Sequence, residues 1–274
     1  MDTVHGTVMT GSFSMRYFRF GKGERTAVIL PGLGIKSVMD MSDGVAREYS
    51  VMEDDFTVYV FDRREDIPEG YTVRGMASDT AEALSHLGLG EICLFGASQG
   101  GMIAMAMAAD HPELVKKLAL ASTAARVGRK EYRTVGRWAD LAQERKGVEL
   151  CLDFGEKIYP PGMFRMFREF LSGMGKSVTD AEFERFVALA EANRGFDMTG
   201  DLVKIKCPVL VTGSDDDMVL GKTAARVIVR GLGRREGVEF HMYSGCGHAA
   251  YDTAPDFRKR LYAFFMKDDT EYMN

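Results

Sequence analysis

The chain has few of the features that mark export, disulfide stapling or nucleic-acid binding. Among its 274 residues there are only four cysteines, which are widely spaced and include no C-x-x-C pair: Cys93, Cys151, Cys207 and Cys246. We therefore expect reduced thiols rather than a disulfide framework. The 35 Lys and Arg residues are outnumbered by 40 Asp and Glu residues, giving a net charge of −5. With no cationic block, the chain lacks the electrostatic footprint of a nucleic-acid or anionic-membrane partner.

Long hydrophobic runs and metal-binding motifs are also missing from the sequence. No apolar run reaches the roughly 18 to 20 residues that a bilayer-spanning helix needs. The polar start MDTVHGTVMTGS has neither the basic region nor the apolar region of a signal peptide. The five histidines form no HExxH motif and no Cys/His cluster of the zinc type. We expect a cytoplasmic protein without a metal or other cofactor, acting on a small molecule; the sequence is silent on its oligomeric state.

What the sequence does contain is typical of an α/β fold. Hydrophobic residues make up 46% of the chain and charged residues 27%, enough for a large core in a soluble protein. Short apolar runs of strand length recur, and helix-like segments separate several of them. These runs are 27–30, 57–61, 92–95, 118–121, 209–212 and 238–243. The alternation predicts a mostly parallel central sheet flanked by helices.

Strand signals disappear between about Thr123 and Lys204, where the sequence indicates helices instead. The last of these helices opens with Thr179 three residues before Glu182, the spacing of a capping box. We predict an α/β core made of residues 1–122 and 201–274, with residues 123–200 inserted as a helical cap or lid. Several aromatic and methionine side chains of this segment, Trp138 and Phe170 among them, are candidates to line an apolar pocket.

The strongest chemical signal is the stretch from Ile92 to Gly101, ICLFGASQGG, which contains G-x-S-x-G between a strand and a helix. In this context the motif forms a sharp turn that exposes the serine above the sheet at the N-terminus of the helix. The flanking positions must be small because the turn holds the serine in a strained backbone conformation. Ser98 is therefore the candidate nucleophile.

A nucleophilic serine needs a base and a carboxylate that orients the base. Where the serine lies on a strand-to-helix turn of this kind, the acid and then the histidine follow it along the chain. His248 follows the alternating strand 238–243 and precedes the final helix, so it is the candidate base. The acid is expected after the strand 209–212, where Asp215, Asp216 and Asp217 are adjacent. The residue pattern alone leaves these three aspartates open.

An oxyanion hole is expected to complete the site. One backbone N–H comes from the residue after the nucleophile, here Gln99, and another from the loop after an earlier strand. The stretch Leu30 to Gly34, LPGLG, ends the strand 27–30 with a tight glycine loop. The N–H of Leu33 is therefore the second candidate donor.

Together these residues resemble the α/β-hydrolase fold superfamily. The resemblance covers roughly residues 13–122 and 201–267, with the helical insertion at the usual position of the cap. The stretch from Gly96 to Ala121 is most similar to 3-oxoadipate enol-lactonase-like and small esterase-like hydrolases. In that family the acid usually lies three residues after the glycine of a G-x-x-D turn, which implies Asp216. The sequence departs from many relatives at Pro31, where they carry histidine before the glycine.

The resemblance implies a cofactor-independent serine hydrolase, most simply a carboxylesterase acting on a small, partly apolar acyl substrate. Lactone hydrolysis and carbon–carbon bond hydrolysis use the same fold and are the alternatives within the class. A cationic side chain such as Arg126 or Arg194 aimed into the pocket would favour a substrate that carries a carboxylate. An alternative from another class is a ligand-binding protein that keeps the fold without turnover.

Overall fold

The computed structural model describes residues 2–268, and eight strands within them form one sheet. The strands are β1 (Val4–Met9), β2 (Ser14–Phe20), β3 (Arg25–Leu30), β4 (Phe56–Arg64), β5 (Ile92–Ala97), β6 (Val115–Ala121), β7 (Val209–Ser214) and β8 (Val238–Tyr243). Their order across the sheet is β1-β2-β4-β3-β5-β6-β7-β8. The pairs β1–β2 and β2–β4 are antiparallel, and all other neighbours are parallel. The predicted fold class is confirmed.

Helices connect most of the strands. They are α1 (Ser42–Glu48), α2 (Val73–His86), α3 (Gln99–Asp110), α4 (Tyr132–Gln143), α5 (Gly147–Ile158), α6 (Pro161–Lys176), α7 (Asp180–Glu191), α8 (Ala224–Leu232), α9 (Ala250–Thr253) and α10 (Phe257–Met266). Within residues 2–268, none of them is both long enough and apolar enough to cross a membrane.

The parallel strands are buried on both faces, which explains their continuous apolar runs. In β3, Val28 and Leu30 point into a core cluster that also contains side chains of α2, α3 and α8. Ala27 and Ile29 point the other way, into a second cluster with side chains of α1 and α10. Because side chains alternate along a strand, one short apolar segment contributes to both cores.

Helices α4 to α7, which we call the four-helix segment, all lie between β6 and β7. They fall inside the range 123–200 for which the sequence predicts a helical insertion; the domain boundaries and the role as a lid stay predictions. At the start of α7, the Thr179 side chain accepts a hydrogen bond from the Glu182 N–H, and the Glu182 carboxylate accepts one from the Thr179 N–H. This capping box begins the helix at the predicted residue.

The turn from β5 into α3 packs so closely on the end of β3 that two glycines have no room for a side chain. A Cβ on Gly100 would lie 2.0 Å from the Leu30 carbonyl oxygen, and one on Gly96 would lie 2.3 Å from the Gly100 carbonyl oxygen. Both neighbours are backbone atoms, which cannot move without shifting a strand or helix. The spacing of the glycines is therefore a steric requirement of this turn.

We expect Gly100→Ala to lower the free energy of unfolding by about 3 kcal/mol, since the added methyl group forces backbone atoms apart. The matched control is Gly173→Ala in α6, where an added Cβ meets nothing within 4 Å. This change should raise the free energy of unfolding by about 0.5–1 kcal/mol, because alanine is the better helix former. Urea denaturation of both variants measures the two effects. A Gly100→Ala variant as stable as the wild type would contradict the steric argument.

Candidate active site

Ser98 occupies the turn between β5 and α3 in a backbone conformation that L-residues rarely adopt, with φ 51° and ψ −119°. Several hydrogen bonds hold it there. Its N–H donates to the Ala121 carbonyl at 2.9 Å, and its carbonyl accepts the Thr123 hydroxyl at 2.7 Å. The N–H groups of Gly101 and Met102 also donate to that carbonyl, at 3.0 and 3.2 Å. Backbone strain of this kind persists where the surrounding structure over-determines it, and it is common at active sites.

The Ser98 hydroxyl is the first member of a chain of three side chains. Its Oγ lies 3.0 Å from Nε2 of His248, and Nδ1 of the same imidazole lies 2.9 Å from Oδ2 of Asp217. His248 is only 2% exposed, and the Asp217 side chain is 4% exposed. When Nδ1–H donates to Asp217, Nε2 is left as the acceptor that a base next to Ser98 requires.

The prediction that Asp216 orients the histidine is wrong, because each of the three adjacent aspartates has a different partner. Asp215 accepts the Ser244 hydroxyl at 2.6 Å. Asp216 accepts the Gly247 N–H at 3.0 and 3.1 Å and the Ser214 hydroxyl. Only Asp217 reaches the imidazole. Asp217 lies four residues after Gly213, one more than the family spacing implies, and β7 continues through Gly213 to Ser214 before the turn.

Asp217 is held as a carboxylate by its surroundings. Burial acts to raise its pKa, but the charge and hydrogen bond of His248 and the N–H groups of Leu220 and Val219 outweigh this effect and lower the pKa. Those two N–H groups donate to Oδ1 at 2.9 and 2.8 Å, while Oδ2 faces His248. Both oxygens are therefore fixed, and the ionised form persists to lower pH than in a free aspartate.

The loop between β8 and α9, which carries His248, also contacts the four-helix segment. The Ala249 N–H donates to the Ile158 carbonyl at the end of α5, at 2.9 Å. Gly247 has φ +66°, and a Cβ there would lie 2.7 Å from the same carbonyl oxygen. The Gly247 N–H also donates to Asp216. The backbone is therefore held on both sides of His248, at Gly247 and at Ala249.

The two predicted oxyanion donors are placed around the turn that carries Ser98. Gln99 is the first residue of α3, and Leu33 belongs to the loop that follows β3. That loop lies against the serine, since a Cβ on Gly32 would be 3.2 Å from the Ser98 Cβ. Neither the Leu33 N–H nor the Gln99 N–H donates to any group in residues 2–268. Both N–H groups are therefore available to an oxyanion.

A cavity of about 740 Å³ opens onto Ser98 and His248. Its apolar lining includes core residues and residues of the four-helix segment: Leu33, Met102, Val219, Val135, Trp138 and Phe154. Among the described residues, no group of three or more His, Cys, Asp or Glu side chains is placed to hold a metal ion. The arrangement is a mostly apolar pocket with a few converging polar groups.

Polar contacts from α7 join the four-helix segment to the core beside this cavity. Glu182 pairs with Lys36 of the loop after β3 at 2.7 Å. Arg185 donates to Oδ1 of Asp62 at 3.1 Å and to the carbonyl oxygens of Arg63 and Arg64. The Gln99 side chain donates from Nε2 to the Leu189 carbonyl at 2.7 Å. Motif reasoning from the sequence did not find these residues, because they come together only when α7 packs on three separate core elements.

The two arginines singled out in the sequence are not part of the cavity lining among the described residues. Arg126 forms an isolated β-bridge with Asp197, and Arg194 pairs with Glu191 and packs over the Tyr132 ring. The arginines that do line the cavity near the loop after β3 include Arg63 and Arg185.

Asp62 is the buried anion in the contact between α7 and the core. Burial acts to raise its pKa, but Arg185, the Ser37 hydroxyl and the Arg63 N–H lower the pKa below its ordinary value. A carboxylate with a lowered folded-state pKa adds stability above its unfolded pKa, and that stability is lost as the pH falls through the folded pKa.

We expect Asp62→Asn to lower the free energy of unfolding at pH 7 by about 2 kcal/mol, the size of a buried hydrogen bond to a charged group. The difference from the wild type should shrink below about pH 4, the ordinary pKa of aspartate. Urea denaturation of the wild type and the variant between pH 7 and about pH 2 measures this difference in the free energy of unfolding. The control is Asp54→Asn, whose ion pair with Lys22 is exposed and should matter little at any pH. A difference that stays constant down to pH 2 would contradict the assigned shift.

Comparisons with known proteins agree with this architecture. Residues 5–258 match the sequence model described as the alpha/beta hydrolase family. The chain is 24% identical over 219 residues to 3-oxoadipate enol-lactonase 2 of Acinetobacter baylyi, covering 78% of this chain and 79% of that protein. It is 23% identical over 202 residues to a proline iminopeptidase of Lactobacillus delbrueckii subsp. bulgaricus, covering 66% and 67%.

The fold is also found among solved structures. MGS-M2, an alpha/beta hydrolase enzyme from a Medee basin deep-sea metagenome library, superposes with a TM-score of 0.84 at 21% identity, covering 96% of this chain and 98% of that one. The similarity at this identity concerns the fold, while the family match spans nearly the whole sequence. The chain belongs to the α/β-hydrolase family.

Proposed function

We propose that the protein is a serine hydrolase that cleaves carboxylic esters of small, partly apolar acyl groups and needs no cofactor. The observation that carries the proposal is the unbroken hydrogen-bonded chain from Ser98 through His248 to Asp217 at the wall of an apolar cavity. Nucleophile, base and orienting carboxylate are each within hydrogen-bond reach of the next, as acyl transfer through a serine requires.

In the proposed mechanism, Ser98 Oγ attacks the ester carbonyl while its proton passes to His248 Nε2. The carbonyl π electrons move to oxygen, and the N–H groups of Leu33 and Gln99 stabilise the resulting oxyanion. Collapse of this intermediate breaks the bond to the alkoxy group, which leaves as an alcohol with the proton from His248. Water then repeats the sequence on the acyl-enzyme, releasing the acid and restoring Ser98. Asp217 keeps the imidazole oriented and stabilises its charged form throughout.

The four-helix segment acts in this proposal as a cap that shapes the acyl pocket. Its side chains Val135, Trp138 and Phe154 supply apolar surface to the cavity. Trp138 is fixed there by a hydrogen bond from Nε1 to Asp153 at 2.9 Å. A rigid apolar wall favours substrates with a hydrophobic acyl or alkyl part.

Lactones are the second candidate substrates. The similarity to 3-oxoadipate enol-lactonase 2 favours them, and a lactone is a cyclic ester that the same three side chains would open. Hydrolysis of carbon–carbon bonds needs an activated carbanion leaving group and has no separate support here. A binding protein without turnover would not need an imidazole held between a hydroxyl and a carboxylate.

The proposal predicts that Ser98 is labelled by a fluorophosphonate probe and that the protein hydrolyses p-nitrophenyl acetate and butyrate. Both activities should vanish in Ser98→Ala, because no other group replaces the nucleophile. Mass spectrometry of the labelled peptide locates the adduct, and circular dichroism of the variant checks its fold. A folded wild-type protein that neither reacts with the probe nor hydrolyses the esters would favour the binding-protein alternative.

A second prediction separates the neighbouring aspartates. Asp217→Asn should lower kcat by about ten-thousandfold, since the amide favours the wrong imidazole tautomer. Asp216→Asn alters a side chain that accepts from the Gly247 N–H and the Ser214 hydroxyl but does not contact the imidazole, so it should cost at most about a hundredfold. Steady-state kinetics with p-nitrophenyl butyrate measure both isosteric variants. A larger loss in Asp216→Asn than in Asp217→Asn would contradict the roles assigned to the two carboxylates.

A further inference from the structure

Arg63 is a buried cation that the structure does not pair. The residue is 4% exposed, and its only side-chain hydrogen bond within residues 2–268 runs from Nη2 to the Pro31 carbonyl at 2.6 Å. Its Nε is buried without any partner. Burial lowers the pKa of Arg63 to about 10, so the guanidinium still carries its charge at neutral pH. A buried charge without a counter-ion is costly.

The charges around Arg63 leave one positive charge uncompensated. Its charged neighbours are Asp62 and Arg185. Both carboxylate oxygens of Asp62 are already occupied, Oδ1 by the Arg63 N–H and the Arg185 guanidinium and Oδ2 by the Ser37 hydroxyl. Nearby, Lys36 pairs with Glu182 and Arg64 with Asp79. The cluster of Asp62, Arg63 and Arg185 therefore has a net charge of +1, which one carboxylate would neutralise.

This charge lies beside the reacting groups. Arg63 lines the same cavity as Ser98 and His248. The Pro31 carbonyl that it contacts precedes Gly32 of the loop after β3, and a Cβ on Gly100 would lie 2.5 Å from that carbonyl oxygen. The guanidinium is therefore next to the turn that carries Ser98.

We propose that Arg63 forms a subsite for a carboxylate at the far end of the acyl group, so that the preferred substrates are half-esters of short dicarboxylic acids. The planar guanidinium offers unused N–H donors in the geometry that carboxylates accept. This inference rests on the proposed ester hydrolysis. It adds an acidic end group to a substrate whose remainder contacts the apolar wall.

The test compares esters that differ only in the end group. Monomethyl succinate, glutarate and adipate are compared with methyl butanoate, pentanoate and hexanoate, and the methanol released is measured. For at least one chain length, we expect the wild type to show a higher kcat/KM for the half-ester by about tenfold to a hundredfold. Arg63→Gln should remove this preference mainly through KM, and Arg63→Lys should retain part of it. The control is Arg194→Gln, a cation outside the cavity lining among the described residues, which pairs with Glu191 and should leave the preference in place.

Two outcomes would overturn the subsite. One is a wild type that cleaves the neutral esters at least as well as the half-esters at every chain length; this needs no variant and stands even if Arg63→Gln does not fold. The other is an Arg63→Gln variant whose kcat falls equally on both series while the ratio of kcat/KM for half-esters to that for neutral esters stays unchanged. Arg63 would then only hold the loop after β3 in place. Failure of the proposed function is distinct, because the wild type would then cleave neither series and would not react with the fluorophosphonate probe.

Discussion

The close approach of the turn after β5 to the end of β3 is the constraint on which the site depends. Gly100 lies against the Leu30 carbonyl, where even one methyl group would overlap backbone atoms. This contact allows the chain to turn sharply at Ser98 and brings Gly32 against the serine. Ser98 and the loop that carries the candidate oxyanion donor Leu33 are thus positioned by one packing contact between two parallel neighbours of the sheet. Such precision comes from strands and a helix rather than from flexible loops.

The second determinant is α7, which connects three parts of the site that are far apart in the sequence. Glu182, Arg185 and the Leu189 carbonyl lie at intervals of three or four residues and therefore on one side of the helix. They contact Lys36, Asp62 and Gln99, which belong to the loop after β3, to β4 and to α3. The four-helix segment thus contacts the same elements that carry the candidate nucleophile and the candidate oxyanion donors. A shift of α7 would act on all three at once.

The sequence predicts those parts of the molecule that local sterics determine. The glycines around Ser98 and the continuous apolar runs of the parallel strands gave the candidate nucleophile and the fold class. Strands β1 and β2 are not predicted from the sequence, because exposed polar residues such as His5, Arg16 and Arg19 interrupt their apolar residues. The family spacing implies Asp216 where the structure places Asp217 next to His248, because the three adjacent aspartates differ only in the long-range partners that the fold gives them. Long-range contacts, such as the hydrogen bond from the Ala249 N–H to the Ile158 carbonyl, leave no local pattern in the sequence from which they could be predicted.

Several unfavourable local features are gathered around Ser98. Ser98 and Ser122 both have positive φ values, 51° and 47°, although neither is glycine. Gln99 Oε1 and Arg63 Nε are buried polar atoms without a partner in the described chain. Flipping the Gln99 amide would not relieve the first, because Nε2 is needed by the Leu189 carbonyl. Strain and unpaired polar atoms persist at sites where function, rather than stability, selects the local structure. Their position between the nucleophile turn, the loop after β3 and α7 therefore supports reading this region as the place where substrate is held and cleaved.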